Sequence, residues 1–135
     1  MAYWLVKSEP GTWSWDDQMR AGRTHWDGVR NAQALGNMRR MALGDEAFFY
    51  HSGKERRIVG IVRIVRAFYD DPNDPKSGLV DVATVTALKR PVTLAEIKAD
   101  PAFADLALVR QPRLSVMPVS PAQWQRLLAM GGMEG

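Results

Sequence analysis

Three β-rich runs in the middle of the chain decide its fold class. Glu46 to His51 brings Phe48, Phe49 and Tyr50 together, Ser52-Gly53-Lys54 turns the chain, and Arg57 to Phe68 continues as a long run rich in Ile and Val. A third run, from Val80 to about Leu88, alternates Val80, Val82, Thr84, Thr86 and Leu88 with Asp81, Ala83, Val85 and Ala87. Between the second and third, Asp70-Asp71-Pro72-Asn73-Asp74-Pro75 is an acidic loop, because two prolines and four turn-formers cannot hold a ladder. Gly60, inside the long run, marks a bulge or a close approach of another group.

The flanks read differently. Tyr3-Trp4-Leu5-Val6 is a short first strand ended by the Glu9-Pro10-Gly11 turn. Ser14 caps a helix with Asp17 at the capping-box position, and Gly22 stops it. A second helix spans about Asn31 to Ala42, where Ala34, Met38 and Met41 recur at helical spacing before Gly44. Further on, Thr93 with Glu96 forms another capping box, and Asp100-Pro101 and Ser120-Pro121 each place proline at the first helical position. The last helix turns Trp124, Leu127 and Leu128 to the core, and Arg113-Leu114-Ser115-Val116-Met117 is a returning strand. Strands separated by short helices, without βαβ spacing, predict an α+β domain built on a strongly curled sheet or small mixed β-barrel with short flanking helices.

Composition bounds what such a domain can be. With 135 residues and 46% apolar content, residues 1–135 form one domain with a core of its own. No cysteine is present, which excludes disulfides, thiol catalysis and cysteine-based metal sites and agrees with a reducing, cytoplasmic location. Trp4-Leu5-Val6 is too short for a signal segment or a membrane span, so no membrane association is expected. Net charge is +3 but uneven: residues 1–66 hold 11 Lys or Arg against 7 Asp or Glu, and residues 67–135 hold 7 against 8. A basic first half favours a polyanionic partner, although a mixed-sign solvated surface accounts for the same counts.

Four polar clusters are candidates for a site. Lys7-Ser8-Glu9-Pro10 lies at a strand end, where Glu9 can accept from an amino group and Lys7 can meet a phosphate or base acceptor. In Trp26-Asp27-Gly28-Val29-Arg30-Asn31, Trp26 offers a stacking face, Asp27 and Asn31 polar edges, and Arg30 a phosphate fork. The competing structural account places Trp26 in the core, has Asp27 or Asn31 cap the next helix, and leaves Arg30 in solvent. Tyr50-His51-Ser52 closes the Phe-rich strand; alternation sets His51 on the face opposite Tyr50 and Ser52. Arg113 can reach a phosphate while Leu114 packs inward. His51 has the chemistry of a general base, but no G-x-S-x-G turn, HExxH, P-loop or G-x-G-x-x-G accompanies it. No catalytic group, metal or cofactor is therefore assigned.

Together these segments resemble the EVE domain, a family of PUA-like fold. The likeness rests on Tyr3-Trp4-Leu5-Val6-Lys7-Ser8-Glu9-Pro10, Trp26-Asp27-Gly28-Val29-Arg30-Asn31, Phe49-Tyr50-His51-Ser52 with Gly60 downstream, Pro91-Val92-Thr93-Leu94, and Arg113-Leu114-Ser115-Val116 followed by Trp124. It covers nearly the whole chain. Two stretches depart from it: Ala32 to Asn37 lacks the aromatic and Arg-Asn pair that many members carry, and Lys76 to Leu79 lacks a tryptophan. The resemblance implies a noncatalytic nucleic-acid-binding module that recognises a nucleobase, modified cytosine included. Its base pocket would be formed by Ser8, Glu9, Trp26, Asp27, Gly28, Val29, Asn31, Tyr50, His51 and Ser52, with Lys7, Arg30 and Arg113 at phosphates or the pocket edge. Single-stranded or locally opened DNA, or RNA, is the implied partner, because opening a duplex costs a few kcal/mol. A small-molecule or protein-interaction module is the first alternative, and a nucleic-acid-processing enzyme the last. The base-pocket reading requires Ser8, Trp26, Asn31 and Tyr50 to line one cleft.

Overall fold

The structure is a computed structural model, and it describes residues 1–133. Its strands are β1 (Tyr3–Ser8), β2 (Arg23–Trp26), β3 (Glu46–His51), β4 (Arg57–Asp70), β5 (Gly78–Thr93) and β6 (Val116–Val119). Its helices are α1 (Trp15–Ala21), α2 (Ala32–Arg39), α3 (Leu94–Lys98), α4 (Ala107–Arg110) and α5 (Pro121–Met130), with a 3-10 turn at Pro101–Phe103.

The strands form one mixed six-stranded sheet in the order β2-β5-β4-β3-β1-β6, in which β1 and β3 are parallel and every other pair is antiparallel. The expected barrel or strongly curled sheet is corrected by this order. The sheet is open, and its edges β2 and β6 do not pair with each other among the described residues. The edge strands account for this physically. β2 is four residues long, and β6 contains Pro118, which has no N–H to give to a further neighbour.

Local signals fix the helix starts. The Ser14 side chain accepts from Asp17 N–H while the Asp17 carboxylate accepts from Ser14 N–H, and Thr93 and Glu96 repeat the arrangement. Asp100 caps the 3-10 turn and Ser120 caps α5, each ahead of a proline. On the sheet, α5 lays Trp124 between two rings, stacked on Phe48 at 3.9 Å and on Tyr3 at 4.5 Å between centroids. Across the sheet order, α2 is tied to β6 where the buried Asn37 side chain donates to Val116 carbonyl at 2.7 Å.

Several elements differ from the sequence expectation. β2 falls between the two helices where no strand was expected, β5 runs longer at both ends, and the last strand begins at Val116 rather than Arg113. Gly60 is both things expected of it. The β4–β5 register shifts there, and a side chain at this position would meet the Trp15 ring at 2.4 Å.

Candidate functional site

The turn that follows β1 builds one wall of a cleft. Thr12 and Trp13 N–H groups both donate to Glu9 carbonyl at 2.9 Å, and the Ser8 hydroxyl donates to Trp13 carbonyl, so residues 8–13 fold into a tight, self-bonded loop. Trp13 is half-buried and its indole N–H donates to Gln18 Oε1 at 3.0 Å. Gln18 is fully buried, and its amide donates to the Thr84 hydroxyl on β5 at 3.2 Å. A tryptophan outside any regular element is thus oriented by a helix and a distant strand.

The end of β2 builds the other wall. Thr24, His25 and Trp26 lead into Asp27 and Gly28, whose φ of +75° makes the turn that only glycine adopts without strain. Trp26 is 7% exposed and meets Phe49 edge-on at 5.5 Å, so it is a core residue that also lines the cleft. Below this turn Val29 is buried, and its carbonyl accepts from the Ser77 hydroxyl at 2.7 Å, which anchors the loop to the start of β5.

The cleft between these walls has a volume of about 500 Å³ and is lined by Lys7, Ser8, Glu9, Thr12, Trp13, Thr24, His25, Trp26, Asp27 and Gly28. That size and its mixture of indole faces with a few polar groups suit a small planar ligand. Lys7 donates from Nζ to Pro112 carbonyl at 2.8 Å and lies 5.7 Å from the Tyr50 ring centre; burial lowers its pKa from the ordinary lysine value. Glu9 lies over the 52–54 turn, where its carboxylate would be 2.6 Å from any side chain at Gly53. At the mouth, His25 Nε2 is 3.6 Å from Asp27 Oδ2, both side chains being exposed.

Of the residues expected to surround a base, Ser8, Glu9, Trp26, Asp27 and Gly28 share this cleft, together with Lys7, which was expected at a phosphate or the pocket edge, whereas the others lie elsewhere. Tyr50 and His51 are buried on β3, in register with Lys7 and Ser8 of β1, and Ser52 N–H donates to Ser8 carbonyl at 2.9 Å. They support the β1 end from behind. Strand alternation holds in β3, where the Phe49 and His51 rings share a face and meet edge-on at 5.7 Å, and the register shift opposite is taken up in β4 by Val59. Asn31 caps α2 by accepting from Ala34 N–H at 2.9 Å, and Arg30 pairs with Asp74 of the acidic loop at 2.8 Å. Asn31 and Arg113 line a neighbouring depression instead. Ser8, Trp26, Asn31 and Tyr50 therefore do not line one cleft.

His51 is committed at both ring nitrogens. Nε2 accepts from Trp15 N–H at 2.9 Å and Nδ1 faces Glu55 Oε1 at 2.9 Å, which gives the ring a structural task in place of proton transfer. The hydrogen bond from His51, helped by Arg57, holds the Glu55 carboxyl below its usual pKa against a smaller opposing effect of burial. Among the described residues no three potential ligands converge on a metal position.

Thr12, Trp13, Thr24 and His25 are the cleft residues that the sequence reading lacked. No sequence signal pointed to Trp13, whose position depends on the buried Gln18 amide that its indole meets.

An open mixed sheet whose β1 and β2 ends flank an aromatic and polar cleft defines a small α+β domain. Comparison with known proteins makes the class specific. The chain belongs to the EVE domain family, whose model matches residues 2–130. It is 33% identical to human thymocyte nuclear protein 1, across 96% of this chain and 73% of that protein. A protein of Rhodopseudomonas palustris shares its structure with a TM-score of 0.92 at 49% identity, covering 98% of this chain and 94% of the other. Human thymocyte nuclear protein 1, solved in complex with DNA containing 5-methylcytosine, superposes with a TM-score of 0.89 at 33% identity over 100% of both chains. The human relative is named as a nuclear protein, which overturns the cytoplasmic location expected from composition. A cysteine-free chain fits any reducing compartment and does not choose among them.

Proposed function

We propose that residues 1–135 work as one noncatalytic module that reads a modified base in DNA, the base entering the cleft between Trp13 and the Trp26–Gly28 turn. The observation that carries this reading is the cleft itself: indole surfaces beside one ammonium and two carboxyl groups, in a chain whose relative is solved with 5-methylcytosine DNA. A cytosine edge carries an amino donor and two acceptors, so Glu9 or Asp27 suits its exocyclic amine and Lys7 suits its O2. The 5-methyl group then lies against indole, where an apolar surface replaces water. The commitment of His51 to Trp15 and Glu55 supports a binding role over a catalytic one.

A fluorescence titration with single-stranded DNA carrying one 5-methylcytosine, against the unmodified strand, tests this. Trp13→Ala is the informative variant, because Trp26 is buried against Phe49 and its removal would also damage the core. Wild type should prefer the methylated strand, and Trp13→Ala should lose roughly 1–3 kcal/mol of binding, the worth of one base–aromatic contact. Equal affinity for both strands, unchanged in Trp13→Ala, would refute the reading.

A further inference from the structure

A second depression, of about 350 Å³, adjoins the cleft. Asn31, Gln33, Gln111, Pro112 and Arg113 wall it, with the buried Leu114 also lining it. The two hollows share a partition: Lys7 lines the first, Pro112 lines the second, and the Lys7 ammonium donates to Pro112 carbonyl at 2.8 Å. One of its three donors is used there, which leaves two for a ligand passing from one hollow to the other.

The chemistry of the second hollow is selective. Its lining contains no carboxylate, so nothing within it opposes the charge of Arg113. The side chains of Gln33, Gln111 and Arg113 have no hydrogen-bond or ion-pair partner among the described residues, and Asn31 uses its carbonyl oxygen on α2 while its amide nitrogen stays available. Three amides offer donors and acceptors to a sugar or a base edge, and a guanidinium offers a fork to a phosphate. Indole stacking surfaces, present in the first hollow, are missing from the second.

We propose that this depression is a subsite for the nucleotide next to the one held in the cleft, with the intervening phosphate lying between Lys7 and Arg113. The proposal rests on the reading of the cleft as a base site. Stacking and edge recognition then belong to the cleft, while the Asn31–Gln33–Gln111–Arg113 hollow grips the strand and sets the direction in which it leaves. Arg30 is left out of this path, since Asp74 holds it.

Titrations with 5-methyl-2′-deoxycytidine and with two single-stranded trinucleotides, one carrying 5-methylcytosine in the middle and one unmodified, test the subsite. Arg113 is exposed, so Arg113→Ala leaves the fold intact. It should weaken both trinucleotides about threefold or more, lower their salt slope by about one, and leave nucleoside binding unchanged. The side-chain amide resonances of Gln33 and Gln111 should shift with the trinucleotides and not with the nucleoside. Unchanged affinity and salt slope in Arg113→Ala, with silent glutamine amides, would overturn the subsite even where methylated and unmodified strands are distinguished. Failure of the cleft reading looks different: the two trinucleotides bind alike, yet both still weaken in Arg113→Ala. If wild type binds neither trinucleotide, both readings fall.

Discussion

The His51 imidazole accepts a backbone N–H from the first residue of α1, and this single bond joins the β3 end to the helix whose N-terminal approach carries Trp13. Because Trp15 N–H donates to Nε2, the ring proton belongs on Nδ1, where Glu55 receives it. The tautomer is thereby fixed by two partners on different segments. Replacing His51 with Leu keeps an apolar contact with Phe49, which the imidazole meets edge-on at 5.7 Å, but leaves Trp15 N–H buried without an acceptor. A buried donor stranded in this way costs about 1–3 kcal/mol. His51→Leu should lower the urea midpoint accordingly, and a change within about 0.5 kcal/mol of wild type would show the bond to be unimportant.

At the scale of elements, β4 accepts α1 only because Gly60 leaves room for an indole. The Trp15 ring occupies the space where a side chain at position 60 would begin, and it packs against Phe49 at 5.1 Å. Gly60→Ala must displace either that ring or the β4 bulge, an overpacking cost of about 1–3 kcal/mol. Urea unfolding should show this loss, and a chain as stable as wild type would mean that Trp15 yields freely. The sequence makes such elements legible to different degrees. Capping boxes at Ser14 and Thr93 and the proline-led starts after Asp100 and Ser120 are local, so four or five residues are enough to read them. β2 is not local: Arg23–Trp26 has exposed polar side chains and becomes a strand by pairing with Val80–Ala83, far along the chain. Pro118 marks a break in sequence, yet an edge strand tolerates it opposite Trp4. The candidate site divides the same way. Lys7-Ser8-Glu9 and Trp26-Asp27-Gly28 stand out by type and meet in one cleft, whereas Trp13 acquires its position through Gln18 and Thr84, a contact no spacing encodes.

The molecule as a whole is tied at its start by one buried carboxylate, and this makes its stability sensitive to acid. Asp45, just before β3, accepts from Ala2 N–H at 3.1 Å, Trp4 indole N–H at 3.0 Å and Ala42 N–H at 2.9 Å, so it joins the N-terminus, β1 and the segment after α2. Burial pushes its pKa up, but the three donors and the terminal ammonium overcome that and bring the net value below the ordinary aspartate range. Glu55 is lowered as well, through His51 first. A carboxyl whose folded pKa is depressed contributes its full stabilisation above the unfolded value near about 4, and loses it as pH falls through the lower folded value. Urea midpoints should therefore decline on acidification below about pH 4.5, the buried Asp45 adding up to about 1.4 kcal/mol per pH unit within its window and the exposed Glu55 adding less, because solvent screens it. Asp45→Asn cannot titrate. It should start less stable at neutral pH, because an amide cannot accept from all three donors, and it should then lose stability less steeply with acid than wild type does. Parallel pH profiles for the two proteins would show that Asp45 does not carry this linkage.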